Sequence, residues 1–261
     1  GKMLLRSIIS LKSDGGIEVE KIFDGKSFFS YPKPVSLLKI LISSLDETKG
    51  IYMDFFSGSA TTAHAIMQLN AEDGGNRQYI MVQLPEICDE KSEAYKAGFK
   101  NICEIGKERI RRVANQLHKD YTESKFDGGF RVLKLDTTNM NEVYYKPDDY
   151  SQGFLNQLES NIKEDRTDLD LLFGCLLDWG LPLSLPYSSE QIEGCTVHNY
   201  NDGDLIACFD ENIPDAVMEK IAEKKPLRAV FRDSSFVNSP SKINVEEMFK
   251  RITPNTRIKV I

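Results

Sequence analysis

The chain has 261 residues, of which 41% are hydrophobic and 28% are charged, an ordinary globular composition. Its formal net charge of −7 argues against a strong nucleic-acid clamp acting through basic residues of this chain alone. We find no apolar run long enough to cross a membrane. Five scattered cysteines without a Cys-x-x-Cys pair predict neither a zinc site nor a disulfide framework, and reduced thiols are expected, as in the cytoplasm.

The first predicted elements precede a loop of small residues at positions 54–62. Residues 3–22 alternate loosely in polarity around Asp14-Gly15-Gly16, which predicts a hairpin. Residues 28–34 form a proline-locked extended segment. Pro34 suits the first turn of a helix whose apolar face runs from Val35 to Leu45.

The next elements surround that loop. The apolar run 51–53 predicts a strand, and the periodic stretch that begins at Ala63 predicts a helix. Continuous apolar residues at 78–84 are typical of a buried parallel strand, and the polar connection 87–100 has room for a short helix. An amphipathic helix is expected over 102–117, with a charged opposite face that we interpret as solvated. That face carries Lys107, Glu108, Arg109, Arg111, Arg112 and Lys119.

The second half again mixes helix and strand patterns. Residues 120–129 look like a linker, so we place a domain boundary there. The turn Asn201-Asp202-Gly203-Asp204 is typical of a hairpin. Strands are predicted at 130–135, 195–200, 205–209, 228–231 and 257–261, and helices at 149–162, 169–177, 214–225 and 245–252. The second half is therefore of the α/β or the α+β class, like the first.

Residues 54–62 read Asp-Phe-Phe-Ser-Gly-Ser-Ala-Thr-Thr, between a predicted strand and a predicted helix. Small side chains at such a junction let backbone N–H groups and a helix N-terminus approach a ligand closely. Asp54 can accept a hydrogen bond from a ligand, while Thr61 and Thr62 can bond either early helix amides or the ligand. An ordinary strand-to-helix turn is the alternative. This loop lacks the Gly-x-Gly-x-x-Gly spacing of a nicotinamide-binding loop, and no Gly-Lys-Ser/Thr follows it as in a P-loop.

Polar residues near this loop are further candidates. Gln83 and Glu86 follow the next strand, where such groups pair with ribose hydroxyls in nucleoside-binding folds, although an exposed carboxylate is the alternative. Lys33 could meet a ligand carboxylate, with Phe29 as part of an apolar wall, or it could simply lie in solvent. None of the three histidines is assigned a catalytic role.

Three segments, residues 32–35, 54–65 and 78–86, together resemble the amino-methylating DNA methyltransferases. Their order, with Pro-Lys-Pro ahead of a Phe-x-Gly loop, is that of the permuted class, in which the catalytic half comes first. Three later segments narrow the resemblance to the modification subunits of type III restriction–modification systems: 127–136, 176–181 and 230–233.

The resemblance implies a partial Rossmann-like, S-adenosylmethionine-dependent methyltransferase sheet in residues 26–125. Residues 1–25 would be the tail of a target-recognition region, and residues 130–261 a smaller α/β assembly domain. The implied reaction is methyl transfer to adenine N6 in duplex DNA, with a second modification subunit and a helicase–nuclease restriction subunit as partners. The cofactor-binding residues it indicates are Phe29, Lys33, Asp54, Phe56, Gly58, Ser59, Thr61, Thr62, Gln83 and Glu86.

Two departures from the family pattern matter. Ala60 stands where the family has a loop glycine. The methyl group of alanine is tolerated there if φ is negative, but not if the turn is tighter. The catalytic Asp-Pro-Pro-Tyr, which holds the target amine and stacks on the flipped base, is absent, and 146–150 and 185–187 do not match it. We expect it upstream of residue 1, and we expect this chain alone to be inactive. A non-catalytic assembly or binding module with a degenerate Rossmann half is the alternative; the missing glycine spacing disfavours an oxidoreductase.

Overall fold

The computed structural model describes residues 10–12, 14–45, 47–141 and 162–261. The chain divides into two compact units, Gly1–Arg131 and Val132–Ile261. Each unit has its own buried apolar clusters. None of the helices in these ranges is both long enough and apolar enough to span a membrane.

The first unit is built around a parallel pair of strands and the helix that connects them. Its elements are α1 (Gly15–Ile22), α2 (Val35–Ser43), β1 (Lys49–Asp54), α3 (Thr61–Asp73), β2 (Asn76–Met81), α4 (Glu93–Lys96) and α5 (Ile102–Asp120). β1 and β2 pair in parallel with Asp54 opposite Met81, as the sequence predicted for this strand–helix–strand unit. Nine of the 13 residues of α3 are buried, so this helix lies at the centre of the unit.

The two faces of the β1–β2 sheet differ sharply. Tyr52 and Tyr79 pack with α2 and α3 in one apolar cluster. Ile51 and Met53 point the other way and are 66% and 51% exposed. Ile80, the partner of Met53 in the register, is 44% exposed on the same side. Parallel strands are normally covered on both faces, so one side of this sheet lacks its usual cover among the described residues.

The predicted hairpin at 3–22 is wrong over its second half, because Gly15–Ile22 forms α1. Residues 1–9 lie outside the described ranges. Alternation of Ile17, Glu18, Val19 and Glu20 suggested a strand, yet Ile17 is 53% exposed. The buried positions, Gly15, Val19 and Phe23, recur every four residues, which is the spacing of a helix.

The second unit is a three-layer α/β/α arrangement. Its elements are α6 (Asp168–Asp178), β3 (Tyr187–Ile192), β4 (Cys195–Tyr200), β5 (Leu205–Cys208), α7 (Asp215–Glu223), β6 (Arg228–Phe231), α8 (Ser239–Ile252) and β7 (Arg257–Val260). The five strands lie in chain order, antiparallel from β3 to β5 and parallel from β5 to β7. One sheet face packs against α7 and α8, and the other packs against α6.

Most sequence predictions for this unit are confirmed, including the β4–β5 hairpin, in whose turn Asn201 and Asp202 take positive φ angles of 47° and 51°. The strand predicted at 130–135 is wrong; Leu135 there is fully exposed and the segment pairs with no strand among the described residues. β3 was missed because its sequence is polar, as suits an edge strand. The helix predicted at 149–162 lies outside the described ranges except for Ile162.

Candidate cofactor loop

The loop between β1 and α3, residues 55–60, is held at both ends by one carboxylate. Asp54 Oδ1 accepts a hydrogen bond from the Phe56 N–H at 3.1 Å. Its Oδ2 accepts a hydrogen bond from the Thr62 hydroxyl at 2.6 Å. Asp54 therefore ties the start of the loop to the first turn of α3, and the Thr62 hydroxyl is already used inside the protein.

Gln83 braces the middle of the loop from the segment that follows β2. Its Oε1 accepts a hydrogen bond from the Gly58 N–H at 2.8 Å, and its Nε2 donates to the Leu84 carbonyl at 3.3 Å. The Gln83 side chain, predicted to meet a ribose, thus contacts the loop itself. Glu86 is exposed; its backbone N–H donates to the Leu84 carbonyl at 2.8 Å, and its backbone carbonyl accepts a hydrogen bond from the Ile102 N–H at 3.0 Å. Of Gln83 and Glu86, therefore, only Glu86 has a side chain that remains available to a ligand among the described residues.

Phe29 lies directly against Gly58. A Cβ built on Gly58 would stand 3.0 Å from Phe29 Cζ, and Gly58 has a φ of +49°, a conformation that side chains rarely adopt. Close approach and backbone angle both require glycine here. The proline-flanked segment and the small-residue loop, about 30 residues apart in the sequence, therefore meet at this point.

Lys33 and Phe56, like Glu86, are exposed among the predicted contacts. Phe56 is 85% exposed, and Lys33 is exposed at the start of α2. No hydrogen bond or ion pair holds the Lys33 ammonium among the residues that the structure describes. Both side chains are accessible to a ligand, but contacts within the described residues do not hold either of them in a ligand-binding position.

Helix α1 fixes the segment that carries Lys33. Gly15 packs so tightly that a Cβ there would lie 2.3 Å from the Pro32 carbonyl oxygen. Glu18 Oε2 accepts a hydrogen bond from the Val35 N–H at 3.0 Å and so caps the N-terminus of α2. The predicted hairpin concealed this role, because a strand would not have brought Gly15 and Glu18 onto the same side.

Arg109 is the residue that sequence reasoning missed. Its side chain lies in the charged stripe that we interpreted as solvated, yet it is 0% exposed. Nη1 donates to Ser59 Oγ and to Thr61 Oγ1, each at 2.9 Å, and to the Ser59 carbonyl at 3.2 Å. Burial lowers the pKa of Arg109 to about 10, so the guanidinium remains protonated at neutral pH.

A signal for Arg109 was present in the helical spacing. At 100° per residue, Arg109 lies four positions from Ile105 and four from Val113, both buried, and so falls inside the apolar stripe of α5. The rest of the charged face behaves as predicted. Lys107 pairs with Glu104 at 2.6 Å, and Arg112 pairs with Glu108 at 2.9 Å and with Asp24 at 2.8 Å.

His64 sits beside Arg109 in the first turns of α3. Arg109 Nη2 lies 3.1 Å from His64 Nδ1, which must act as the acceptor because the guanidinium can only donate. Burial, with the charges of Arg109 and Lys39, lowers the pKa of His64 to about 3. The imidazole is therefore neutral at physiological pH, and its role is structural.

Ala60 adopts the unfavourable backbone conformation, with a φ of +60°. Its methyl group is nonetheless accommodated, because Gly106 of α5 faces it: a Cβ at Gly106 would lie 3.6 Å from Ala60 Cβ and 3.3 Å from the Gly58 carbonyl oxygen. The absence of a side chain at Gly106 thus explains how the Ala60 methyl group is tolerated.

We expect Ala60→Gly to change the free energy of unfolding by less than roughly 1 kcal/mol. Relief of about 1–2 kcal/mol of left-handed strain is offset by about 0.8 kcal/mol of lost burial and about 0.4–1 kcal/mol of added unfolded-state entropy. Ala63→Gly is the control: Ala63 is also buried but lies within α3, so it should lose about 2 kcal/mol. Urea titration measures both; equal losses would contradict the argument.

Two polar clusters lie in the second unit. The Cys195 and Cys208 thiols and the Asp210 carboxylate lie within 4.8 Å of one another, and burial raises the pKa of Cys208 to about 12. His198 contacts Ser189 at 2.7 Å and Asp168 at 3.3 Å. Strand register already places Ser189 opposite His198, so this chain of contacts links the sheet to α6.

Comparison with known proteins gives a family match within the first unit. Residues 12–116 match the family model for DNA methylase. Over 129 residues, 49% of this chain, it is 38% identical to the type III restriction–modification enzyme StyLTI Mod subunit of Salmonella typhimurium, covering 20% of that protein. Over 263 aligned residues, 95% of this chain, it is 29% identical to the EcoP15I Mod subunit of Escherichia coli, covering 38% of that protein.

The EcoPI Mod subunit of Escherichia phage P1 is 29% identical over 177 residues, covering 68% of this chain and 27% of that protein. The chain thus spans well under half the length of each of these relatives. Its match to the family model contains α1, the Pro-Lys-Pro segment, the braced loop and most of α5. Residues 12–116 therefore belong to the N6/N4 DNA methylase family, and the chain is homologous to the modification subunits of type III restriction–modification enzymes.

Proposed function

We propose that this chain is the cofactor-binding and C-terminal part of a methyltransferase that methylates adenine N6 in duplex DNA. The observation that carries the proposal is the loop after β1, whose conformation is fixed by Asp54 and Gln83 and which Phe29 covers at Gly58. The family match supports a DNA methylase, and the type III relatives support a restriction-linked enzyme.

S-adenosylmethionine, when bound, supplies an electrophilic methyl group on a sulfonium. The residues present fit such a ligand. Phe29 offers an apolar wall, and Lys33 and Glu86, which follows β2, offer an exposed ammonium and an exposed carboxylate without a side-chain partner among the described residues. Asp54 can accept a hydrogen bond from the ligand while bracing the loop. The chain's part in the reaction is therefore positioning of the methyl donor.

For the side chains of Ser59, Thr61 and Thr62 we propose a role other than direct cofactor contact. Their hydroxyl groups contact Arg109 or Asp54. We assign them to holding the loop, so that backbone N–H groups rather than hydroxyls face the cofactor. Phe56, which is 85% exposed, is left free to contact either the cofactor or the target base.

The polar group that stabilises positive charge on the attacking amine is absent from the printed sequence, since it contains no Asp-Pro-Pro-Tyr. We propose that the remainder of a longer protein supplies it. The uncovered sheet face supports this: Ile51, Met53 and Ile80 are apolar and exposed where a parallel sheet would ordinarily be packed. The first residues would then be the tail of a target-recognition region.

The second unit is proposed to serve assembly, through contact with a second modification subunit or with the helicase–nuclease restriction subunit. It has its own apolar core and a five-stranded sheet with helices on both faces. Deleting residues 130–261 from the full-length protein should therefore abolish assembly with these partners while the methyltransferase sheet stays folded. Unchanged assembly on size-exclusion chromatography would refute this role.

Calorimetry with S-adenosylmethionine tests the central proposal. The chain should bind the cofactor in a one-to-one complex and should incorporate no methyl groups into adenine-containing duplex DNA. Methyl incorporation by this chain alone would refute the proposal that the catalytic group comes from outside this chain. No cofactor binding would favour the rival, a non-catalytic assembly module with a degenerate Rossmann half.

A further inference from the structure

The guanidinium of Arg109 lies beneath the cofactor loop with only neutral partners. Its hydrogen bonds reach Ser59, Thr61 and His64, and its Nε atom is buried with no hydrogen-bond partner in the described part of the chain. The neighbouring imidazole of His64 is neutral at neutral pH. Arg109 is thus a fully buried cation in a neutral shell.

No carboxylate among the described residues forms an ion pair or hydrogen bond with Arg109. Glu18 is the acidic group that favours its charged form, and that carboxylate is already bonded to the Val35 N–H. A buried charge without a directly paired counterion is costly, so an anion that binds close to Arg109 would stabilise the protein.

The N-terminus of α3 adjoins this cation and lacks a side-chain cap. Ala60 precedes the helix and offers no acceptor, Thr61 Oγ1 is directed to Arg109, and Thr62 Oγ1 donates to Asp54. The first N–H groups of a 13-residue helix are therefore left for another acceptor. Helix terminus and buried cation favour the same ligand, which is an anion.

We propose that Arg109 is a positioning residue that makes the N-terminus of α3 a site for the carboxylate of the cofactor. It acts without touching the ligand: it fixes Ser59 and Thr61 in place and puts a positive charge behind the loop. This inference rests on the proposed function, because it names the part of S-adenosylmethionine that the loop selects.

The test compares S-adenosylmethionine with its decarboxylated form, which lacks only the carboxylate, by calorimetry on the full chain. The wild type should prefer the carboxylate-bearing ligand by roughly tenfold or more. Arg109→Met should remove most of that preference, while Arg109→Lys, which keeps the charge, should retain part of it. Arg111→Met is the control, because Arg111 lies on the same helix with its side chain 52% exposed, and it should change neither affinity.

Three results would overturn the inference. The first is a wild type that binds both ligands equally, which needs no variant to fold. The second is an Arg109→Met variant that loses both affinities by one common factor, as a purely structural role predicts, and the third is one that keeps the full preference. A wild type that binds neither ligand refutes the proposed function itself, so the two failures are distinguishable.

Discussion

Replacing Asp54 by alanine is expected to weaken binding of S-adenosylmethionine by about 100-fold or more. The carboxylate receives hydrogen bonds from Phe56 and Thr62, and bonds to charged groups contribute about 1.5–3 kcal/mol each. Losing both leaves the loop free to reorder, and about 2.8 kcal/mol corresponds to a 100-fold change in affinity. Asp54→Asn should have an intermediate effect, because its amide nitrogen cannot accept the Thr62 hydroxyl proton.

Asp73→Ala provides the matched control for that experiment. Asp73 is at the opposite end of α3, where it pairs with Arg77 at 2.8 Å and accepts a hydrogen bond from the Gly75 N–H at 2.9 Å. Its loss should lower the melting temperature but leave the cofactor affinity nearly unchanged. If the two variants lost affinity equally, the loop-bracing role of Asp54 would be wrong. Calorimetry and thermal melting on the same samples provide both quantities.

The second large effect is expected from a single methyl group on α1. Gly15→Ala places a Cβ 2.3 Å from the Pro32 oxygen and 2.8 Å from the Lys33 carbonyl carbon, and these are backbone atoms that cannot turn aside. Overpacking of this kind costs about 1–3 kcal/mol and sometimes more. Because the clash displaces the Lys33 segment, cofactor affinity should fall as well.

Gly16→Ala is the natural comparison, since a Cβ there meets nothing within 4 Å. It should be neutral or stabilise α1 by about 0.5–1 kcal/mol, because alanine is the better helix former. Hydrogen exchange across α3 reports the first unit, while Trp179, the single tryptophan, reports the second unit and should be unaffected. Equal exchange in the two variants would show that Gly15 is not a tight contact.

Elements with a strong local pattern could be predicted from the sequence. α3 and β1 flank a recognisable loop, and the Asn201–Asp204 turn specifies a hairpin by its own chemistry. α1 could not be predicted, because the polar–apolar alternation of residues 17–20 fits a strand. Its helical form depends on Gly15 packing against Pro32, a contact that only the tertiary structure supplies.

The site was predictable in its parts but not in its internal contacts. The sequence identified the loop, and the structure brings Phe29 and Gln83 to Gly58. It could not show that Ser59 and Thr61 turn inward, since their partner, Arg109, lies about 50 positions away on α5. Charge type outweighed helical spacing in our interpretation of Arg109, although the spacing placed it on the buried face.

The bare side of the β1–β2 pair also affects how this protein must be handled. The side chains of Ile51, Met53 and Ile80 form an exposed apolar strip that favours self-association in water. The outer edge of β1 is also unpaired within the described residues. Molecules held at high concentration would bury these strips against one another. Protein concentration is therefore a variable in every titration on this chain, and dilute samples give the affinity of the isolated molecule.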